Sequence, residues 1–187
     1  MEATLAETDA NAAGAMDWAI AQGGDAAVQL LVEALDSPMD SRRHRALEAL
    51  RKIGSPRASG ALAAAFHHPD PAVRAQASFA RGRRGDTAAI PVLVDLVLEG
   101  RDDVEASDVL AELAARRDCA NEIVGLIAQK LANASDAERQ RLTASLADIP
   151  GPASDAVLGH LVDDPDRRVT LIATYLLRSR RQRTSTE

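Results

Sequence analysis

The feature that most constrains this chain is a loop motif that returns at a fixed interval. Ser37-Pro38-Met39-Asp40-Ser41-Arg42-Arg43 aligns with His68-Pro69-Asp70-Pro71-Ala72-Val73-Arg74, with Pro38 and Pro69 31 residues apart, and Gly54 and Gly85 repeat that spacing. A period of this length is one supersecondary unit per repeat, which cannot bury its apolar side alone and must stack on its neighbours. Between the punctuation marks apolar residues recur at helical spacing in pairs of segments, and no stretch alternates as a strand would. The spacing predicts first helices over Asp25 to Leu35, Arg57 to His67, Thr87 to Leu98, Cys119 to Leu131 and Ala153 to Leu161. Their partners are predicted over Asp40 to Ile53, Pro71 to Arg83, Asp103 to Arg116, Asp136 to Ile149 and Arg167 to Arg180. The expected fold is therefore all-α, an α-solenoid of about five antiparallel helix pairs plus an N-terminal degenerate half-repeat. Residues 1–24 read as an acidic segment carrying that half-repeat, 25–181 as the solenoid, and 182–187 as a basic and polar tail.

Several helix starts carry their own mechanism. Asp70-Pro71 sets an oxygen acceptor at the cap and a proline at the first helical position, where its missing N–H costs nothing. Ser135-Asp136-Ala137-Glu138 is a capping box, in which a hydroxyl and a carboxylate three residues later satisfy backbone donors. Aromatic residues make up only 2% of the chain, which suits close helix packing and suits a deep small-molecule pocket poorly. Cys119 is the single cysteine, so no intramolecular disulfide is possible, and neither a secretory leader nor a membrane-spanning run is legible. These features predict a cytoplasmic protein. Lys52 and Lys130 are the only lysines beside many arginines, a bias expected of a GC-rich bacterial genome.

With the period and helices in hand, the chain resembles the HEAT-repeat family, specifically the short HEAT-like repeats also found in phycobilisome lyases. The match is carried by Asp70-Pro71-Ala72-Val73-Arg74 through Gly85-Asp86-Thr87-Ala88-Ala89-Ile90-Pro91 and extends over about residues 25 to 180. Pro91 falls where the first helix of such repeats commonly bends. Glu105 lies near the place where the family's Arg is expected, so the third and fourth pairs depart most. The resemblance implies that the second helix of each pair lines a concave groove.

The residues facing that groove follow from helical phase. In the first pair Ala46, Leu47, Ala49, Leu50 and Ile53 point to the core, leaving Arg45, Glu48 and Lys52 outward. In the fifth pair Val169, Ala173, Leu176 and Leu177 point inward, leaving Leu171 and Tyr175 outward. Alignment of the repeats puts Phe79 at the position of Glu48 and Tyr175, and Trp18 takes it too if Met16 to Gln22 is a surviving second helix; Phe66 is then left for the core. A second reading has Trp18 and Tyr175 closing the two ends of the apolar seam, as terminal repeats must.

Charge falls in blocks. Residues 1–40 hold eight acids and no Lys or Arg, residues 41–86 hold ten Lys or Arg against three acids, and residues 87–177 carry a net charge of −8. A basic island between acidic flanks predicts an acidic partner met at Arg74 and Arg83 as well as Arg45; the competing reading is a set of solvated, locally neutralised faces. Arg81 and Arg84 occupy positions where the family pattern expects core residues, and because an unpaired buried guanidinium is costly, either the helix is rotated or frayed there or acids of the next pair, such as Asp95 or Glu99, receive them.

No catalytic, metal or cofactor site is legible. His67-His68 are adjacent and hence point apart, His44 and His160 are isolated, and Cys119 has no local partner for redox or nucleophilic chemistry. Gly82-Arg83-Arg84-Gly85 lacks the spacing of a phosphate loop, and Asp163-Asp164-Pro165-Asp166 is a helix-cap turn with too few positioned oxygens for calcium. The preferred expectation is a non-enzymatic adaptor holding an acidic or amphipathic peptide or helix of another protein in its groove, with no cofactor and no membrane. The alternatives are an accessory subunit of a phycobilin-lyase-like enzyme, which the resemblance suggests without transferring any catalytic residue, and a nucleic-acid binder, which overall acidity and the lack of an aromatic base pocket disfavour.

Overall fold

The structure, a computed structural model, describes residues 27–53, 55–116 and 118–184. Trp18 and the half-repeat expected over Met16 to Gln22 lie outside the described residues. Among the described residues there are ten α-helices and no strand, arranged as five antiparallel pairs. The chain divides into two compact units, Met1–Arg81 and Gly82–Glu187. The first contains α1 (Val28–Leu35), α2 (Asp40–Ile53), α3 (Pro56–Ala64) with the 3-10 turn Ala65–His67, and most of α4 (Pro71–Arg83). The second contains the 3-10 turn Thr87–Ala89, α5 (Ile90–Glu99), α6 (Asp103–Arg116), α7 (Ala120–Leu131), α8 (Asp136–Ser145), α9 (Pro152–Leu161) and α10 (Arg167–Thr184). The even-numbered helices are the second helices of their pairs.

In the first unit the seam is built from Leu31, Ala34, Leu35, Leu47, Leu50, Leu62 and Val73, with Ala46, Ala49 and Ala58 between them. Alternating large and small side chains lets the helices approach without voids, and each buried Leu contributes roughly 1.5–3 kcal/mol relative to exposure. The second unit repeats the recipe with Leu93, Val94, Val109, Leu110, Leu113, Ile123, Ile127, Leu142, Leu146 and Leu158, all buried. Its first helices α5, α7 and α9 pack in sequence, and its second helices α6, α8 and α10 pack in a parallel rank.

Prolines open the helices where their missing N–H is harmless. Pro56, Pro71 and Pro152 are first residues of α3, α4 and α9, and Ser55 caps α3 by accepting the Ala58 amide at 3.2 Å. Pro91 lies in the first turn of α5, because residues 87–89 form a separate 3-10 turn capped by Asp86. Within this protein the bend expected at Pro91 is thus a junction between two helical segments. Gly85 supplies the left-handed residue before that cap, at φ 81°. The capping box at Ser135 is formed, with its amide and hydroxyl both donating to Glu138 at 2.7 and 2.6 Å, and these two bonds hold the Glu138 carboxyl below its ordinary pKa.

The Arg of the recurring loop motif has a definite mechanical role. Arg43, Arg74 and Arg139 are each the fourth residue of a second helix, and each reaches back to carbonyls of the turn before it: Ser37, His68 with Pro69, and Ala134. In two cases the same guanidinium also meets the next repeat's turn. Arg43 Nε donates to Asp70 Oδ2 at 2.7 Å, and Arg139 Nε lies 3.3 Å from Asp164 Oδ2. Asp70 meanwhile uses its other oxygen to cap α4 through the amides of Ala72 and Val73. Burial alone would raise the Asp70 carboxyl, but the Arg43 guanidinium and those two amides outweigh it and hold it below the usual carboxylate range. One Asp therefore ties a helix start to the preceding repeat, which converts the sequence period into a mechanical joint.

A candidate interaction face on the second helices

Three second helices of the second unit present a common outer face. On α6 the buried stripe is Ala106, Val109, Leu110 and Leu113, so by helical phase Val104, Asp108 and Glu112 point the opposite way. Val104 is 72% exposed. On α8 the buried residues are Leu142, Thr143, Ser145 and Leu146, and the opposite side is small or neutral, formed by Ala137, Gln140 and Ala144. On α10 Val169 and Ala173 are buried, while Leu171 at 58% exposure and Tyr175 at 69% stand on the outer side with Arg178. A recess of about 340 Å³ lies between α6 and α8, lined by Asp103, Val104, Ser107, Asp108, Gln140, Arg141, Ala144 and Ser145.

The walls of this face are fixed by half-buried arginines from the same helices. Arg141 donates to the carbonyls of Val97 and Leu98 at 3.0 and 2.5 Å and so closes the C-terminus of α5. Gly100 makes room for it, since a Cβ there would come within 3.0 Å of Arg141 Nε and the φ of 70° is already left-handed. Arg180 donates to Ser154 Oγ, Asp155 Oδ1 and the carbonyls of Leu146 and Ile149, which locks α10 onto the end of α8 and the start of α9. Gln140 donates to Asp166; that bond and the Arg168 amide hold the Asp166 carboxyl below its ordinary range. Val104, Leu171 and Tyr175 thus sit on a rank held by other side chains.

The sequence-derived groove residues divide sharply. Leu171 and Tyr175 are on the outer face as expected from their phase. Phe79 is not: it is 1% exposed, among the largest fully buried side chains of the protein. Helix α4 buries Val73, Ala75, Ala77, Ser78, Phe79 and Gly82, which form two stripes, so the repeat alignment that placed Phe79 outward fails on this helix. Phe66, expected in the core, is half-buried, with the Arg81 guanidinium 4.3 Å above its ring and His67 edge-on at 5.1 Å. That cation–π contact is where Arg81 finds its partner. Asp95 and Glu99, expected to receive Arg81 and Arg84, pair instead with Lys130 and Arg101, and Arg84 is exposed.

The basic island is largely engaged within the fold. Arg45 and Glu48 are half-buried and Lys52 is exposed on α2, where Glu48 pairs with Arg51 at 3.0 Å. Arg74 braces its own turn, as described above. Arg83 pairs with Glu105 at 2.6 Å, and its carbonyl accepts from Arg116. This explains the Glu105 departure: α6 carries an acid that receives the Arg of the preceding helix, and Ala106 fills the motif's Arg position. Arg42, Arg45 and Lys52 have interactions of their own. Arg74 and Arg83 are therefore engaged within the fold, the first with its own turn and the second with α6.

Val104 and Asp108 are among the outer-face residues that escaped the sequence reading. Val104 stands opposite an unbroken apolar stripe, and a lone apolar residue at that phase is a readable signal; the uncertain frame of the third pair hid it. Among the described residues no helix is long and apolar enough to cross a membrane, and no group of three His, Cys, Asp or Glu side chains converges on a metal position. Cys119 is buried at the start of α7, with its Sγ donating to the Leu113 carbonyl.

Known proteins resemble this arrangement. The HEAT repeats family matches residues 28–114. An engineered protein is similar over 94% of this chain and 92% of its own, with 21% identity and a TM-score of 0.51. A designed armadillo repeat protein is similar over 94% and 96%, with 17% identity and a TM-score of 0.50. The complex of CpcE and CpcF of phycocyanin lyase from Nostoc sp. PCC7120 is similar over 92% and 73%, with 19% identity and a TM-score of 0.48. No curated protein matches the sequence. At these identities the engineered protein and the designed armadillo repeat protein speak for the fold alone. The repeated turn grammar and the paired helices agree with the match of residues 28–114 to the HEAT repeats family.

Proposed function

We propose that the protein is a non-enzymatic scaffold that holds a segment of another protein against the outer face of its second helices. The observation that carries the reading is the exposure of Val104, Leu171 and Tyr175 on one rank of helices whose packing is completed by other residues. Most of the Tyr175 surface is open to solvent, and aromatic residues are common anchors of interfaces. Of the two partner chemistries expected from the sequence, an amphipathic segment has the firmer support. The purely acidic partner rested on guanidiniums that Asp70, Glu48, Glu105, the ring of Phe66 and turn carbonyls already receive.

The test is affinity capture from the source cells, followed by binding measured with the purified partner. Wild type and a Leu171→Asp/Tyr175→Ala variant are compared with circular dichroism as a fold control. The expected result is a partner retained by wild type and lost by the folded variant, with an affinity at least tenfold weaker, the usual cost of about 1.4 kcal/mol or more at an anchor. Unchanged binding by the folded variant would remove this face from the reading.

A further inference from the structure

The outer face of α6, α8 and α10 has a cross-section as well as a composition. Its middle helix offers only Ala137, Gln140 and Ala144, so it is a low floor. Its two flanking helices offer larger apolar side chains, Val104 on one side and Leu171 with Tyr175 on the other, all exposed. The flanks differ in charge. Beside Val104 stand Asp103 and Asp108, both lining the recess against α8; beside Leu171 and Tyr175 stand Arg168 and Arg178, both exposed. The one cation in the recess, Arg141, is directed at the carbonyls of α5 and does not offset the acidic side.

From this geometry we infer that the trough over α8 takes an amphipathic helix of a partner protein with one basic flank, laid against α6, and one acidic flank, laid against α10. The inference rests on the scaffold reading above and narrows it to one occupant. A helix fits because small floor residues allow close backbone approach between bulkier rims, as in ridge-and-groove packing. The bipolar charge follows from complementarity. A uniformly acidic helix meets Asp103 and Asp108 with like charge, and a uniformly basic one meets Arg168 and Arg178 in the same way. Turning such a helix end for end exchanges its flanks, so the charges also fix the direction in which it lies.

The test uses three helix-stapled probe peptides with the same Leu/Ala stripe and different flanks: Lys on one and Glu on the other, Glu on both, or Lys on both. Binding is followed by fluorescence anisotropy to the full chain. The bipolar probe is expected to bind about three- to tenfold more tightly than either uniform probe at low salt, the range available to a few rim charge pairs. Asp108→Lys should shift the preference towards the all-Glu probe, and Tyr175→Ala should weaken all three. If the probes bind in a Tyr175-dependent way but without a charge preference, the bipolar assignment is overturned while the scaffold reading stands. If none binds at millimolar concentration, the helix assignment is overturned and the scaffold reading is decided by the capture experiment; a dimer in sedimentation that Tyr175→Ala dissociates would assign the face to a second copy of the chain and overturn both.

Discussion

Phe79 and Tyr175 are each the ninth residue of a second helix, yet one is 1% exposed and the other 69%. The two helices that carry them differ in how many sides are covered. Helix α4 buries two stripes, one through Val73 and Ala77 and one through Ala75, Phe79 and Gly82, whereas the buried residues of α10 are only Val169 and Ala173. Repeat position therefore fixes the direction of a side chain relative to its own helix, and the surroundings decide whether that direction is interior or surface. Small residues on α4 are the clue. Ala75, Ala77, Ser78 and Gly82 are sized for contact on both sides, while α10 carries Leu171, Tyr175, Arg168 and Arg178 where nothing presses against it.

The sharpest way to break this comparison is to truncate the two aromatics. Phe79→Ala leaves a cavity in a packed seam and should destabilise the protein by about 3–5 kcal/mol. Urea unfolding followed by circular dichroism measures it, and a loss below about 1 kcal/mol would mean that α4 is not packed as described. Next in size is Gly82→Ala, where the added Cβ would lie 2.4 Å from Val109 Cγ1 and 3.2 Å from Leu93 Cδ1. Overpacking of this kind costs about 1–3 kcal/mol. The contrasting glycines are Gly125 and Gly159, exposed on α7 and α9 with no atom within 4 Å of a new Cβ. There the change to Ala should stabilise by up to about 0.5–1 kcal/mol through helix propensity alone. Opposite signs for the same substitution would show that room, and not residue type, governs these helices.

What the sequence made legible follows from the same contrast. The helix pairs, the Asp70 and Ser135 caps and the outward phase of Leu171 and Tyr175 all depend on near neighbours in the chain, and each formed as read. The burial of Phe79, the cation–π contact between Arg81 and Phe66 and the pairing of Arg83 with Glu105 depend on which helix lies alongside, and periodicity within one helix does not contain that information. The basic island meets the same limit. A run of arginines in sequence says nothing about whether carbonyls and carboxylates of adjacent turns receive them, and in this chain the loop motif's own Arg does so at Arg43, Arg74 and Arg139.

That motif gives a smaller prediction with a pH signature. Asp70→Ala removes both the α4 cap and one acceptor of Arg43, and a lost cap alone typically costs about 1 kcal/mol. Because the folded carboxyl is held below its ordinary value, its contribution is fully present above the unfolded pKa of about 3.9 and is lost as pH falls through the folded pKa. The gap in Tm between wild type and Asp70→Ala should therefore be constant near neutrality and narrow at pH values below about 4. A gap that persists unchanged into strong acid would assign the effect to backbone propensity and not to the ion pair.

The smallest expected effect completes the comparison and separates stability from binding. Tyr175→Ala removes a ring that is 69% exposed and stands opposite the buried Val169 and Ala173. Surface substitutions away from caps, cores and buried pairs usually stay within about 0.5 kcal/mol. If Tyr175 instead closed the end of the apolar seam, as terminal repeats of stacked arrays require of some residue, its removal would expose that seam and lower Tm by several degrees. Thermal unfolding of Tyr175→Ala beside Leu171→Ala distinguishes the two roles, since both side chains lie on the same face one helical turn apart. Near-wild-type stability for both variants, together with weakened capture of a partner, is the outcome expected of an interaction face. A marked loss of stability for Tyr175→Ala alone would make the ring an end cap and leave Val104 and Leu171 as the apolar residues of the face.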